Sequence, residues 1–296
     1  MIYCKSNKER PYGSRAGAET MEKYRIEHFK SVYDFEKALK SRPINEAFDI
    51  SRGSSQTSDR EWYQTGSYEE ADELLLNGWN AKIDELKGSL EKYSRKIVVQ
   101  HRITENNVVG FMPNVPRAIK GYPDSMFCHK ELNSKESRNT MHIIYSMNST
   151  SRTEGEELLK AGLAVLKIAM FLDKSNIRTK IDLVPFEAYE SGDYIACTVG
   201  IKDYRQSFNY SKMAYPIANP SFFRRHGFRY LETLSGDLKK WSSGYGTRTY
   251  GHDDTQEYLE KAGFAGEGII YITHKDCGRA EFDPMKIMAN KGIDIK

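Results

Sequence analysis

A loop of small hydroxyl and amide side chains follows the apolar segment Met141–Met147 and precedes a long apolar stretch. Its candidate ligand-binding residues are Ser146, Asn148, Ser149, Thr150, Ser151 and Arg152. Between a strand and a helix, such a loop meets free N–H groups and the positive end of the helix dipole, which favour an anion such as phosphate. The alternative is that these hydroxyl groups only cap the helix, which is a common arrangement.

A second cluster combines basic and aromatic residues over 222–250. Its candidate contact residues are Arg224, Arg225, Arg229, Lys239, Lys240, Trp241 and Arg248. Cations neutralise phosphates and release counterions, and aromatic rings stack on bases, so this segment is a candidate surface for nucleic acid or another partner. The alternative is a helix whose phenylalanines lie in the core and whose arginines are solvated or paired.

A third cluster, His252, Asp253 and Asp254, holds possible ligands for a divalent metal. The same aspartates also fit the capping of a helix over 253–262. The pair His274 and Cys277 is only half of a four-ligand zinc site. We find no nucleophile elbow and no phosphate-binding loop of the Walker type. The prediction is therefore no cofactor, with Mg²⁺ or Mn²⁺ as the alternative.

A strand–helix–strand unit over Met141–Phe186 positions the first cluster. Met141–Met147 alternates as a strand, Thr153 and Glu156 have the spacing of a capping box, and the apolar helix ends at Ser175–Asn176. Ile181–Phe186 is the second strand. Such a crossover joins parallel strands in a sheet that has helices on its faces. Further elements of the second half are predicted at 193–202 and 267–273 as strands, and at 220–234 and 283–289 as helices.

The first half has weaker patterns. Helices are predicted at 22–29, 31–39, 68–77 (capped by Ser67 and Gly78) and 80–93, and strands at 96–102 and 107–112. A charged run over 130–138 separates the halves. The predicted organisation is a loose tail at 1–20, an N-terminal α+β region at 21–134 and a Rossmann-like α/β domain at 135–296.

Composition limits the classes of function. The chain has 296 residues, a formal net charge of +3 and four scattered cysteines. This charge is too small to indicate nucleic-acid binding by itself. No stretch approaches the ~18 apolar residues of a membrane span, and the start lacks a signal peptide. Scattered cysteines favour a reducing compartment.

Three stretches of the first half carry a resemblance to a known family. They are Ser31–Leu39, the run at Thr65–Trp79 and the proline-bounded run at Val108–Met126. Together they resemble an uncharacterised family of tailed-phage and prophage proteins. The resemblance implies a phage or mobile-element origin and no established activity.

The second half resembles a von Willebrand A domain in layout. That fold places a metal-binding D-x-S-x-S loop after its first strand, whereas this chain has Ser146 in place of the leading aspartate. The fold class predicted is α/β: a Rossmann-like, von Willebrand A-like sheet with flanking helices, plus the smaller N-terminal α+β region.

Without a catalytic motif, the leading hypothesis is a non-enzymatic bacteriophage-type protein that acts by macromolecular interaction, in assembly, as a replication accessory or by binding a host factor. Its partner would be a protein, and it would act in the host cytoplasm or the virion and not in a membrane. The second hypothesis is nucleic-acid binding through 222–250. The third is a divalent-metal-dependent hydrolase or nuclease that uses His252, Asp253 and Asp254.

Overall fold

Two β-sheets organise the part of the chain that the computed structural model describes, namely residues 23–45, 58–80, 83, 103–130, 140–190, 193–235, 260, 263–264 and 269–293. The larger sheet has the order β1-β7-β6-β5-β8. Its strands are β1 (Lys23–Phe29), β5 (Thr140–Ser146), β6 (Arg178–Glu190), β7 (Asp193–Lys202) and β8 (Ile269–Thr273). Neighbouring strands are parallel except β6 and β7, which are antiparallel. The chain is therefore a mixed α/β protein with a mostly parallel sheet.

The smaller sheet is antiparallel and has the order β2-β4-β3. It comprises β2 (Ile103–Asn107), β3 (Met112–Pro113) and β4 (Met126–Lys130). A short helix, α4 (Val115–Ile119), lies between β3 and β4. We call residues 103–130 the β2–β4 module.

The other described helices lie before and after this module. They are α1 (Val32–Ser41), α2 (Arg60–Tyr63), α3 (Tyr68–Asn77), α5 (Gly155–Lys174), α6 (Tyr210–Ala218), a π-helical turn (Phe222–Gly227), α7 (Phe228–Glu232), α8 (His274–Arg279) and α9 (Pro284–Asn290). Among the helices in these ranges, none has both the length and the apolarity needed to cross a membrane.

The unit β5–α5–β6 confirms the predicted crossover, since β5 and β6 are parallel and α5 joins them. The predicted capping box at its start is wrong. Glu154 is the N-cap residue of α5 and makes no side-chain cap bond, while the Thr153 hydroxyl lies 3.2 Å from that of Thr150. Burial along α5, with Leu158, Val165 and Leu172 in the core, stabilises this helix instead.

The hydrophobic core lies on one face of the large sheet. Alternate residues of a strand point to opposite faces, and Ile143, Tyr145 and Ile181 share one apolar cluster with side chains of the helices. The opposite face carries a small apolar group around Ile144 and Val184, to which Phe264 packs. The same face carries a row of polar side chains, which we call the polar face: His28, His142, Ser146, Lys180, Asp182, Glu187, Tyr194 and Thr198.

Two predictions for the first half are wrong. Residues 23–29 form β1 and not a helix, because they pair in parallel with β7. The predicted strand at 107–112 is not one strand, because residues 108–111 connect the end of β2 to the start of β3. Because β1 lies in the large sheet, residues before 134 contribute to the same sheet as residues after 135. The predicted division into two regions stays a prediction.

Several predictions are confirmed. The strand at 193–202, the helix at 68–77 with Ser67 as N-cap and Gly78 as C-cap, and the last helix at 284–290 all occur. Ser31 caps α1 by accepting a bond from the Asp34 amide. The predicted tail at 1–20, the strand at 96–102 and nearly all of the helix at 80–93 lie outside the described residues.

Candidate functional site

The predicted anion loop is divided by the structure into a buried and an exposed part. Ser146 is 1% exposed, and Asn148 and Ser149 are also buried. The hydroxyl of Ser146 donates to Glu187 Oε1 at 3.0 Å, and Asn148 Nδ2 donates to the Glu187 carbonyl at 2.8 Å. Thr150, Ser151 and Arg152 are exposed. The six residues therefore do not face one common space.

The N-terminus of α5, where the sequence predicts a bound anion, is packed against α2. A Cβ atom built on Gly155 would lie 2.3 Å from the Glu61 carbonyl oxygen. Arg224 Nη2 donates to the Thr153 carbonyl at 2.5 Å. Only Thr150, Ser151 and Arg152 have the exposure that an anion from solution would require, and anion binding by this loop stays a prediction.

Arg224 and Arg225 of the predicted basic–aromatic surface lie in the interior, both at 0% exposure. The Arg224 guanidinium stacks on Trp62 at 3.9 Å from the ring centroid and donates to the Trp62 carbonyl. Arg225 lies over Tyr63 at 4.3 Å and donates from Nε to the Thr65 hydroxyl at 2.7 Å. Burial lowers the pKa of Arg224 to about 10. The prediction that both arginines lie on a contact surface is therefore wrong, because their side chains are buried and bonded to neighbouring residues.

Of the other five predicted contact residues of 222–250, only Arg229 lies within the described part of the chain. Arg229 is partly exposed, pairs with Glu232 at 3.3 Å and lies 5.9 Å from the Tyr68 ring. Lys239, Lys240, Trp241 and Arg248 lie outside the described residues, as do His252, Asp253 and Asp254. Within the described ranges, no three His, Cys, Asp or Glu side chains are grouped so as to hold a metal ion.

An exposed group of large apolar side chains lies on the β2–β4 module. Its members range from 50% exposed at Tyr122 to 81% at Ile119. They are Val108, Val109, Phe111, Met112, Val115, Ile119 and Tyr122, and we call them the apolar surface. Single exposed apolar residues are normal, whereas a contiguous group marks a site of interaction. Seven within 15 consecutive residues make this surface the candidate functional site.

Backbone bonds tie the segment that carries the apolar surface to the segment around β4. The Phe111 amide donates to the Phe127 carbonyl at 2.9 Å, and the Asn114 amide donates to the Ser125 carbonyl at 2.7 Å. Asn114 also caps α4 and donates from Nδ2 to Asn106 Oδ1 at 2.8 Å. Gly110 is required at its position, since a Cβ atom there would lie 2.1 Å from the Phe127 carbonyl oxygen. These contacts fix the backbone that carries the apolar surface.

The charges of this site largely cancel. Arg117 Nη2 lies 2.6 Å from both carboxylate oxygens of Asp124, and its guanidinium lies over the Tyr122 ring at 4.6 Å. The hydrogen bond from Arg117 lowers the pKa of Asp124. Arg117 is therefore engaged, and the exposed apolar side chains dominate what a partner would meet.

Sequence reasoning did not identify this site. The run over 108–126 was noted for its turn motif, and its first residues were taken as part of a strand. One signal was present: Val108, Val109, Phe111 and Met112 are apolar without a period of two, so a strand would leave part of them unburied. The charged residue Asp182 within an otherwise apolar strand was also visible in the sequence and was not used.

A protein-family model described as "Domain of unknown function (DUF7192)" matches residues 7–293. Comparison with curated proteins and with solved structures finds no match.

Proposed function

The chain belongs to the DUF7192 family, whose description assigns no activity, and we propose that it acts by binding another protein through the apolar surface of the β2–β4 module. The observation that carries this proposal is the exposure of seven large apolar side chains on one short hydrogen-bonded module. Transfer of each such side chain from water to an interface is worth ~1.5–3 kcal/mol when burial is complete. A few of them would supply the central contacts of an interface.

The chemistry of the surface favours a protein partner with an apolar groove. Within 108–122 the cations are Arg117 and Lys120, and Arg117 is engaged by Asp124. Binding to nucleic acid or to anionic lipid depends on several cations near the phosphates. One remaining lysine supports neither as the main mode of binding, whereas aromatic and aliphatic side chains are typical of protein interfaces.

Affinity capture with matched variants tests the proposal. The doubly substituted Val109→Asp/Ile119→Asp chain places two charges on the apolar surface. Met285→Asp places one on α9, where the native side chain is 37% exposed and lies outside the module. We expect proteins recovered with the native chain, from cells of the source organism or its host, to be lost with the double variant and retained with Met285→Asp. Equal recovery with all three chains would contradict the proposal.

Two control measurements distinguish binding of another protein from lipid binding and from self-association. Sedimentation with neutral and anionic vesicles should leave the native chain in the supernatant, and light scattering should give the same mass for native and double-variant chains. Vesicle binding that the double variant abolishes would indicate a lipid surface instead. A loss of mass in the double variant would indicate self-association.

The setting of this interaction and the finer fold assignment are also proposals. The resemblance of Thr65–Trp79 and Val108–Met126 to phage and prophage proteins supports assembly, replication or host-factor binding in the host cytoplasm or virion.

The parallel β5–α5–β6 unit supports a Rossmann-like or von Willebrand A-like assignment of the fold. The antiparallel pairing of β6 and β7 departs from an all-parallel sheet.

Nucleic-acid binding through 222–250 and metal-dependent hydrolysis are proposals with less support. The first loses two of its seven residues to the interior, since Arg224 and Arg225 are buried. The second depends on His252, Asp253 and Asp254, which lie outside the described residues.

A further inference from the structure

Strand β1 forms one edge of the large sheet, since it pairs with β7 alone. An edge strand directs every second N–H and C=O group away from its neighbour, which makes it a template for pairing with another chain. In the described part of the chain, no backbone hydrogen bond joins the outer side of β1 to another segment. This edge therefore offers unpaired backbone groups to a further strand.

Open space adjoins the edge. A cavity of about 620 Å³ is lined by the middle of β1, at Arg25, Ile26 and Glu27, and by residues 42–45 and 233–235. Arg25 is exposed, and Ile26 and Glu27 are half-buried. The residues that another strand would approach are thus accessible from solution.

Two charged side chains are held in place along this edge. Arg25 and Glu27 share the face of the sheet on which Phe29 enters the hydrophobic core, because alternate residues of a strand share a face. The Glu27 carboxylate accepts from both terminal nitrogens of Arg42, at 3.0 and 2.5 Å. Arg25 Nη1 donates to the Ser235 carbonyl at 2.9 Å. Both charges are therefore fixed beside the edge before a partner arrives.

Both groups keep capacity for a second contact. A guanidinium carries five N–H donors, and a carboxylate has about four lone-pair sites. In the described part of the chain, no carboxylate lies within ion-pair distance of Arg25. The Glu27 side chain stays 30% exposed beside Arg42. The edge thus presents an unpaired cation and, two residues further on, a carboxylate that can accept another bond.

The sequence of β1 is complementary to itself when two copies run antiparallel. With the two Ile26 residues opposite each other, Arg25 of each copy lies opposite Glu27 of the other, which makes two opposite-charge pairs. A shift by two residues would set two Arg25 or two Glu27 side chains opposite each other. A shift by one residue would turn the core face of one copy to the opposite side of the joined sheet. One register therefore satisfies both the charges and the faces.

We propose that two copies of this chain associate through β1, antiparallel and centred on Ile26, in a two-fold symmetric dimer. The pairing would join two sheets into one, with both hydrophobic cores on the same side. Main-chain bonds would supply affinity, and the cross-strand pairs of Arg25 with Glu27 would fix the register. The proposal is independent of the protein-binding function, since β1 and the β2–β4 module share no residue.

Light scattering over a range of concentrations tests the dimer. We expect the native chain to approach twice its mass of 34.0 kDa as its concentration rises. Arg25→Glu places like charges opposite each other at two points, so it should weaken dimerisation by about tenfold or more. Arg279→Glu is the matched control and should associate like the native chain. Arg279 is exposed on α8, which follows β8 at the other edge of the sheet.

A mixture of two variants distinguishes the proposed register from a general effect of charge. Glu27→Arg also sets like charges opposite each other, so it should be monomeric alone. When it is mixed with Arg25→Glu, each carboxylate again faces an arginine, and the mixture should recover the mass of the native dimer. Because Glu27→Arg removes the partner of Arg42, circular dichroism first establishes that each chain is folded.

A cysteine in place of Ile26 tests the register without a change of charge. The two cysteines of an Ile26→Cys dimer would lie directly opposite each other, so mild oxidation should give disulfide-linked dimers. The native chain and Arg279→Cys, oxidised in the same way, should remain unlinked.

Four results would overturn the proposal. One is a native chain that stays monomeric up to ~100 μM, the range of weak association. The second is equal association of Arg25→Glu and Arg279→Glu, whether unchanged or lost in both. The third is a mixture of folded Arg25→Glu and Glu27→Arg chains that remains monomeric. Loss of the dimer in Val109→Asp/Ile119→Asp is the fourth, because it would place the contact on the apolar surface.

Discussion

The guanidinium groups of Arg224 and Arg225 are buried, and each stacks on an aromatic ring of the segment around α2. A buried cation is costly unless it is hydrogen-bonded. The Nε atom of Arg224 has no partner among the described residues, so its two terminal nitrogens make the bonds. Arg224 donates to the Trp62 and Thr153 carbonyls, and Arg225 donates to Thr65. These contacts join α2, the start of α5 and the π-helical turn. The two arginines are thus structural residues.

Replacement of Arg224 by lysine should destabilise the fold. Arg224→Lys keeps the charge and loses the planar fork that reaches two carbonyls, so we expect a loss of about 3 kcal/mol in the free energy of unfolding. Urea denaturation measures this loss. Arg205→Lys, at an exposed position, is the control and should change the free energy of unfolding by less than about 0.5 kcal/mol. Equal effects of the two substitutions would show that the buried contacts contribute little.

The buried carboxylate of Asp182 should make stability depend on pH. Burial alone would raise the pKa of Asp182, but bonds and charges from His142 and Lys180 bring that pKa below its ordinary value. A lowered pKa means that the contribution is complete above the unfolded-state value of about 3.9 and is lost as pH falls through the folded-state value.

The measurement compares urea unfolding of the native chain and Asp182→Asn from pH 7 to pH 3. We expect the native chain to be more stable by about 3 kcal/mol at pH 7, the scale of a broken buried pair, with the difference shrinking below about pH 4. Glu73→Gln, on the exposed side of α3, is the control. A difference that grows on acidification would contradict this account.

At the scale of the elements, the crossing of α5 and α6 depends on a glycine of α5. A Cβ atom on Gly162 would lie 2.5 Å from the Ala218 Cα atom and 2.5 Å from the Ile217 carbonyl oxygen. Both are backbone atoms, so the helices themselves would have to separate. Close approach of α6 to α5 holds the following π-helical turn against β6, where Gly227 meets the Pro185 carbonyl.

Gly162→Ala should therefore destabilise the protein although alanine favours helices. We expect a loss of about 1–3 kcal/mol, the usual cost of overpacking. Gly278→Ala in α8 is the matched control: nothing lies within 4 Å of its added Cβ atom, so it should be neutral or stabilising by up to about 1 kcal/mol. The same sign of change in both variants, read from thermal unfolding, would refute the packing argument.

How far an element could be predicted depends on whether its signal was local. The β5–α5–β6 unit was predicted because a long apolar helix between two apolar strands is visible within 50 residues. Residues 23–29 were mistaken for a helix because their strand is specified by its partner β7, about 170 residues away. The burial of Arg224 and Arg225 depends likewise on Trp62, Tyr63 and Thr65, which are distant in sequence. The apolar surface went unrecognised because apolar residues are expected in the core.

In the molecule as a whole, three chemically different surfaces are distributed over different elements. One face of the large sheet holds the hydrophobic core with the helices, and the opposite face carries buried polar pairs such as His142 with Asp182. The β2–β4 module holds the apolar surface.

Site-specific photo-crosslinking tests the central claim most directly. A photoreactive phenylalanine analogue replaces Ile119 on the apolar surface in one chain and Met285 on α9 in another, and both are irradiated in cells of the source organism or its host. The account predicts a discrete adduct with one other protein from position 119 and none from position 285. Adducts of the same mass from both positions, or no adduct from position 119 with the chain folded, would contradict binding through the β2–β4 module.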